Sequence, residues 1–514
     1  MTANHRSLSR RRLLRLTGTG AAAAAGGLAG CLDLRGGSGT DSGSGFRDAV
    51  NDLDFGANYE ERRGATFEEW SVADRTRTPD ENRGEPGAWL DSTSVSTAPW
   101  TPPDGWEDTP ASDVDRLTIL NYGDMRFDPA TAAVDALFER VTGISVERVQ
   151  VPLDQAIPKA AASLSSGQSS PHLLQSTTSS SMTTYAGSDW LEPVDFLMPD
   201  ESMWDMYLPL TKRTYNWNGH LWGGPGTLEG VPVNVRVDLL EEQGLDDELG
   251  KIRDGTWTWA DLESVLAAFE GTDVYGYGFR GGSLTDTERD WRMLWYQTGG
   301  QYVGDDGTVS VDPEGSGLLA LEKLVEWKEK GWLPPESVSW GEAELSDGFL
   351  SGQLAIASIA TDIVGDASEA FDRGDEYIIA RPPRADEGPA PRHATYGGGP
   401  VSAINAHAPV EHKVAGALFQ DCRFSEAASW WEYVEEGNMA PARRTYEQAD
   451  AHDLVWMSGV RGQVMDDAVN EVFPQQRALT QKVSRELQAA YAGEKSPADA
   501  LASAQDYIDT VLSQ

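Results

Sequence analysis

Residues 207–271 change character twice within a short span. Aromatic side chains crowd one loop at Tyr215, Trp217 and Trp222, and Gly223, Gly224, Pro225 and Gly226 follow without a break. An apolar extended run then occupies residues 231–237, and a helix opens at Thr258. Clustered Gly and Pro end regular structure, so this stretch reads as a surface loop followed by a crossover between two compact units. The helix after it has Thr258 as cap, with Asp261 three residues on. Its apolar face comprises Trp259, Leu262, Val265, Leu266 and Phe269, and Gly271 closes it. A chain of 514 residues has room for two or three such units.

The first unit reads as α/β. Residues 117–120 form a short buried strand, with Gly123 and Asp124 in the loop after it. Val134, Leu137, Phe138 and Val141 fall on one helix face. Gly143 ends that helix, and Val146, Val149 and Val151 suggest the next strand. Strand–helix–strand order implies a parallel crossover. Loops at the carboxyl ends of such strands form the ligand crevice of open α/β sheets. Asp124 and the hydroxyls of Thr177, Ser179 and Ser180 are therefore binding candidates, with turn capping as the competing role. In the second unit Gly276, Gly278 and Gly281 match GxGxxG, but no apolar helical run follows, so a nucleotide site is set aside. Trp291 opens a helix with Trp295 and Tyr296, and is the aromatic residue to test for a cleft-facing role against a core-facing one. Trp340, in a loop beside Gly341 and Glu342, is another aromatic candidate.

Several segments, taken in order, resemble the sugar-type solute-binding proteins of ABC importers, the maltose-binding-like group. They include Asp238-Leu239-Leu240 with Thr256-Trp257-Thr258-Trp259, and residues 166–174 (SGQSSPHLL). Later segments are 349–358 (FLSGQLAIAS), 396–404 (YGGGPVSAI) and 437–443 (GNMAPAR). Val235-Arg236 stand where the group carries Tyr-Asn, and His172 where it carries Asp. The resemblance spans residues 117–512 and implies a two-lobed periplasmic-binding-protein-like (type II) fold with a hinge and a central cleft. It implies a first lobe of residues 113–228 plus 355–404 and a second of 229–354 plus 405–514. It also implies a receptor that captures a small solute, most simply a sugar, and delivers it to permease subunits with their ATPase. Glu229 stands where relatives place a hydroxyl-binding carboxylate. Asp362 stands where many place a stacking aromatic, Gly398 lies on the returning strand, and Arg443 either contacts ligand or braces the hinge. A glycerol-phosphate or polyol receptor shares these motifs. A phosphorylated ligand would want clustered arginines, for which Arg236, Arg280, Arg292 and Arg443 are available.

The N-terminus reads as an export signal. Residues 9–15 (SRRRLLR) resemble a twin-arginine signal, and Leu28-Ala29-Gly30-Cys31 resembles a lipoprotein box. Residues 1–30 are then a signal peptide, with Cys31 lipidated as the only membrane attachment, on the outer face of the cell membrane. Residues 31–112 are a tether and partly ordered extension, packed on the surface or spacing the protein from the membrane. The net charge of −41, with 82 acidic residues against 41 basic, argues against nucleic acid or anionic lipid as a partner and suits a protein kept soluble in high salt. Two cysteines in unrelated contexts make no disulfide framework, and Cys422 reads as a space-filler on a helix. The seven histidines show no metal-ligand spacing, and no GxSxG is present. No cofactor or metal is expected, and the chain is expected to be monomeric and not an enzyme. A secreted glycoside hydrolase is the alternative from another class and would need two carboxylates at a defined separation.

Overall fold

Leu117, Ile119 and Leu120 are withdrawn from solvent in a strand, Arg116–Tyr122, that pairs in parallel with Ser145–Val151 on one side and Leu173–Thr178 on the other. This is the heart of the larger sheet in a computed structural model that describes residues 42–64, 100–122, 129–304, 306–360, 363–435, 437–451 and 455–513. The export segment, Cys31, Asp124 and Asp362 lie outside those residues. Pro400–Asn405 extends the sheet antiparallel to Leu173–Thr178, and both Leu191–Glu192 and Gly224–Pro225 pair with it in turn. Helices Pro129–Thr142 and Leu153–Ser165 supply the crossovers.

A smaller sheet of four strands runs Tyr275–Tyr277, Leu354–Ser358, Val233–Arg236, Tyr377–Ala380. Every residue of Val233–Arg236, Leu354–Ser358 and Tyr377–Ala380 is buried. That is why residues 231–237 read as a continuous apolar run rather than an alternating one.

Between the sheets lies a ladder of three short strands, Ala468–Val469, Thr395–Gly398 and Glu229–Gly230. Glu229–Gly230 joins Gly224–Pro225 of the larger sheet to Val233–Arg236 of the smaller one. Thr395–Gly398 returns from the smaller sheet to Pro400–Asn405 of the larger. The two passages lie side by side and antiparallel, with Gly397 opposite Gly230 and Gly398 opposite Glu229. Glycine is required there by proximity: a Cβ on Gly397 would stand 2.7 Å from the Ala468 Cβ, and one on Gly230 would stand 2.5 Å from the Met465 sulfur.

Burial divides at this ladder. One core holds residues from Phe46 to Leu228 and from Val401 to Ala468. The others hold Val233 to Ala385 and Phe473 to Ile508. The sequence-based partition differs in two respects. Leu354–Ser358 and Tyr377–Ala380 pair in the smaller sheet, not with the first lobe, and helix Val410–Arg423 packs in the first core, not the second. The cause is a third crossing at Ala468–Val469, after which the chain returns to the second core as helices Gln476–Ala492 and Pro497–Leu512. The expected surface extension is also partly interior: Phe46, Val50, Phe55 and Trp100 belong to the first core. Tyr215 and Trp222 are buried as well, so the aromatic loop is a packed hairpin whose Trp222 indole N–H donates to the Trp217 carbonyl at 2.9 Å.

Candidate functional site

The ladder brings together two of the residues singled out from sequence. Glu229 and Gly398 are register partners, one on each passage between the sheets. Tyr396 lies two residues before Gly398 on the same strand face. A Cβ on Gly398 would lie 3.0 Å from the Tyr396 hydroxyl, so glycine there gives that hydroxyl room. From helix Asp286–Gln297 of the second lobe, the Arg289 and Arg292 guanidiniums stand 4.7 and 4.8 Å from the Tyr396 ring centroid.

Burial and neighbouring charge set the ionisation of this group. Burial works against the charge on Arg289, but the Tyr396 and Glu229 oxygens more than offset it, so its pKa is raised and the cation persists. Burial pushes the Tyr396 phenol upward in spite of Arg289, so it remains a proton donor. Among the described residues the half-buried Glu229 carboxylate has no hydrogen-bond partner. A carboxylate, a phenol and a guanidinium thus stand together as acceptor and donors for a polar solute. Arg292 is committed deeper, paired with Glu288 at 3.2 Å, while Glu288 accepts from the Tyr302 hydroxyl at 2.7 Å.

The other sequence candidates lie elsewhere. Trp291 is fully buried, not cleft-facing: its indole N–H donates to the Gly317 carbonyl at 3.1 Å, and its ring stacks on Trp295 at 4.9 Å. Trp340 is also buried, in a cluster with Leu345 and Phe349, because Gly348 lets its ring approach the helix Glu342–Leu350. Ser179 is buried at the start of helix Ser179–Gly187, and the hydroxyl run around it works as a cap, with Thr178 and Ser181 bonding reciprocally. Arg443 pairs with Asp466 at 3.4 Å. The four arginines available for a phosphate do not converge: Arg236 pairs with Asp238, Arg280 is buried against Asp290 and Glu342, and Arg292 and Arg443 are committed as above. Sequence reasoning missed Arg289 and Tyr396. Tyr396 opened a quoted motif, and Arg289 carried no signal beyond lying one turn from Arg292. Among the described residues no group of His, Cys, Asp or Glu is arranged to hold a metal ion.

Comparison with solved structures recovers the same two-lobed architecture. Maltose-bound MalE3 of T. maritima superposes with a TM-score of 0.63 at 18% identity, covering 77% of this chain and 99% of that one. The cyclic alpha-maltosyl-1,6-maltose binding protein of Arthrobacter globiformis gives 0.64 at 19%, covering 78% and 99%. An ABC transporter solute binding protein of Agrobacterium vitis with bound D-mannitol gives 0.59 at 18%, covering 77% and 98%. At these identities the likeness establishes the fold. No curated protein sequence matches the chain. The pattern that defines the bacterial extracellular solute-binding proteins matches residues 132–453, well over half of the sequence, and the chain belongs to that family.

Proposed function

We propose that this protein is the receptor of an ABC importer for a carbohydrate, which it captures by closure of the two lobes about the ladder and delivers to the permease subunits. The observation that carries the reading is the pairing of the two interlobe passages, which sets Glu229, whose carboxylate has no hydrogen-bond partner among the described residues, opposite Gly398 and beside Tyr396 and Arg289. Carboxylates and arginines at such a seam take sugar hydroxyls, and bending at a seam of short strands closes one lobe on the other. A polyol is the second reading, supported by the mannitol held by one structural neighbour. Twin-arginine export, a lipid on Cys31, a monomeric state and adaptation to high salt complete the proposal and rest on the sequence motifs and the charge of −41.

Calorimetry over a panel of mono-, di- and oligosaccharides and polyols tests it. One class should bind, and Glu229→Ala should weaken that binding by a factor of about 10 to 100, as expected for a hydrogen bond to a charged group. Binding that is unchanged in Glu229→Ala removes the site, and no binding by the wild type removes the carbohydrate assignment.

A further inference from the structure

A cavity of about 370 Å³ abuts the edge strand Ala468–Val469 of the ladder, and its walls carry Arg213, Arg381, Arg384 and Arg392 with His393. Such a concentration is unexpected in a chain whose acidic residues outnumber its basic ones 82 to 41. The two carboxylates on its wall are already engaged. Asp467 takes both arms of Arg381, at 2.7 Å on one side, and Asp466 faces Arg443 at 3.4 Å. The remaining guanidiniums have no carboxylate partner among the described residues. Arg213 donates to the Ala468 carbonyl at 3.0 Å and Arg392 to the Tyr296 carbonyl at 3.3 Å, both neutral acceptors. No ion pair engages Arg384 among the described residues. The His393 Nδ1 is 2.7 Å from the Pro382 carbonyl, so it carries the proton, and with burial holding the ring neutral its Nε2 is left as an acceptor for the hydroxyl of a hydrogen phosphate.

We propose that this cavity binds a phosphate-type oxyanion. Three planar guanidiniums, those of the exposed Arg213, Arg384 and Arg392, line one opening from both lobes without an ion-pair partner among the described residues, beside an Arg381 neutralised by Asp467, and they suit the bidentate geometry of phosphate and sulfate. No Phe, Tyr or Trp lines the cavity, so it lacks the broad stacking face that a sugar ring takes. Its volume exceeds that of several waters, each about 30 Å³ in the liquid, and so admits a hydrated anion. Arg213 belongs to helix Pro209–Tyr215, which packs in the first core, and Arg381, Arg384 and Arg392 follow the smaller sheet. The bound anion therefore bridges the two lobes beside the seam about which they bend. The phosphate belongs either to a free solute or, contrary to what the overall charge of −41 leads one to expect, to the headgroup of an anionic lipid.

The test uses the purified full chain in concentrated potassium chloride. Inorganic phosphate and sulfate should each bind at one site by calorimetry, and extra chloride at matched ionic strength should not replace them. Affinity should fall about tenfold or more in Arg384→Gln/Arg392→Gln, which removes two charge-assisted donors. It should be unchanged in the charge-matched control Arg116→Gln/Arg485→Gln. Co-sedimentation with phosphatidylglycerol but not phosphatidylcholine vesicles, lost in the same double variant, would assign the phosphate to a lipid; binding of free phosphate without sedimentation would assign it to a solute. In the wild type the His393 ring proton resonances should move on phosphate titration, a readout that needs no variant. Absence of both phosphate binding and vesicle binding, equal loss in the two double variants, or a motionless His393 resonance would overturn the proposal.

Discussion

Asp421 is where the N-terminal extension is fastened to the first lobe, and replacing it tests whether that extension is part of the fold. Its carboxylate accepts from Arg62 at 2.9 Å, from Arg63 at 2.8 Å and from the Trp100 indole at 2.8 Å. The Asp421 and Arg63 side chains are 0% exposed and Arg62 is 8% exposed. In Asp421→Ala two guanidiniums stay buried without a counter-charge. Removing one partner of a buried pair costs about 3–5 kcal/mol. The lower half of that range is expected here, because Arg62 keeps the Phe55, Ala57 and Thr101 carbonyls and Arg63 keeps that of Leu197. Urea unfolding should show the midpoint fall with little change in slope. The loss should persist in about 1 M salt, since buried pairs are weakly screened. Arg116→Ala, which breaks the exposed pair with Glu147, should cost less than about 1 kcal/mol. The pH dependence has a definite sign. Although burial opposes its charge, the two arginines hold the Asp421 carboxyl below its ordinary 3.8, so its contribution is complete above that value and fades as pH falls through the lower folded value. A cost for Asp421→Ala no larger than that for Arg116→Ala would refute the claim that the extension is built into the lobe.

Other outcomes follow from the same geometry. Trp291→Ala removes a fully buried ring and should cost about 3–5 kcal/mol in unfolding experiments, while the folded fraction binds ligand with wild-type affinity by calorimetry. His172 packs on His412 with ring centroids 3.9 Å apart, and its Nδ1 accepts from the Thr118 amide at 3.0 Å. Burial first, and His412 second, lower its pKa from 6.5 to about 4. Folding therefore favours the neutral ring, and its contribution is complete above pH 6.5 and is lost as pH falls toward 4. Melting temperatures across that window should fall less steeply in His172→Gln than in the wild type.

The seam was legible because Gly and Pro are needed where chains cross closely, and residues 223–226 and 397–400 carry them in clusters. The buried strand at 231–237 was legible because a strand covered on both faces shows no alternation. The allocation of segments to lobes was not. Helices 410–423 and 476–492 have similar amphipathic patterns, yet they pack in different cores. The switch between them is a strand of two residues, Ala468–Val469, too short to leave a periodic signal. The tryptophans misled for a related reason: a ring that could stack on a sugar and a ring that fills a core look alike in sequence. What separates them here is a buried acceptor for the indole, the Gly317 carbonyl, which lies 26 residues from Trp291. Glu229 could be named from the resemblance alone, but its neighbours Tyr396 and Arg289 are brought to it by register and by a helix of the second lobe.

Arginines used inside the protein explain part of its surface charge and give it a salt response with a sign. Arg62, Arg63, Arg280, Arg292 and Arg423 are all buried, and each faces a carboxylate. Guanidinium is weakly hydrated and planar, which suits buried pairing better than ammonium does. Every arginine used this way is one fewer on the surface to offset the exposed acids of a chain at −41. Self-repulsion among those acids favours expansion of the chain, and salt screens it with a Debye length falling from about 10 Å at 0.1 M to about 3 Å at 1 M. The buried pairs, screened far less, keep their strength over the same range. Melting temperature should therefore climb steadily as potassium chloride rises from about 0.1 to 1 M. Choline chloride, which screens equally, should act alike if repulsion is the cause. A melting temperature that stays flat or falls with both salts would mean that the exposed carboxylates do not oppose folding.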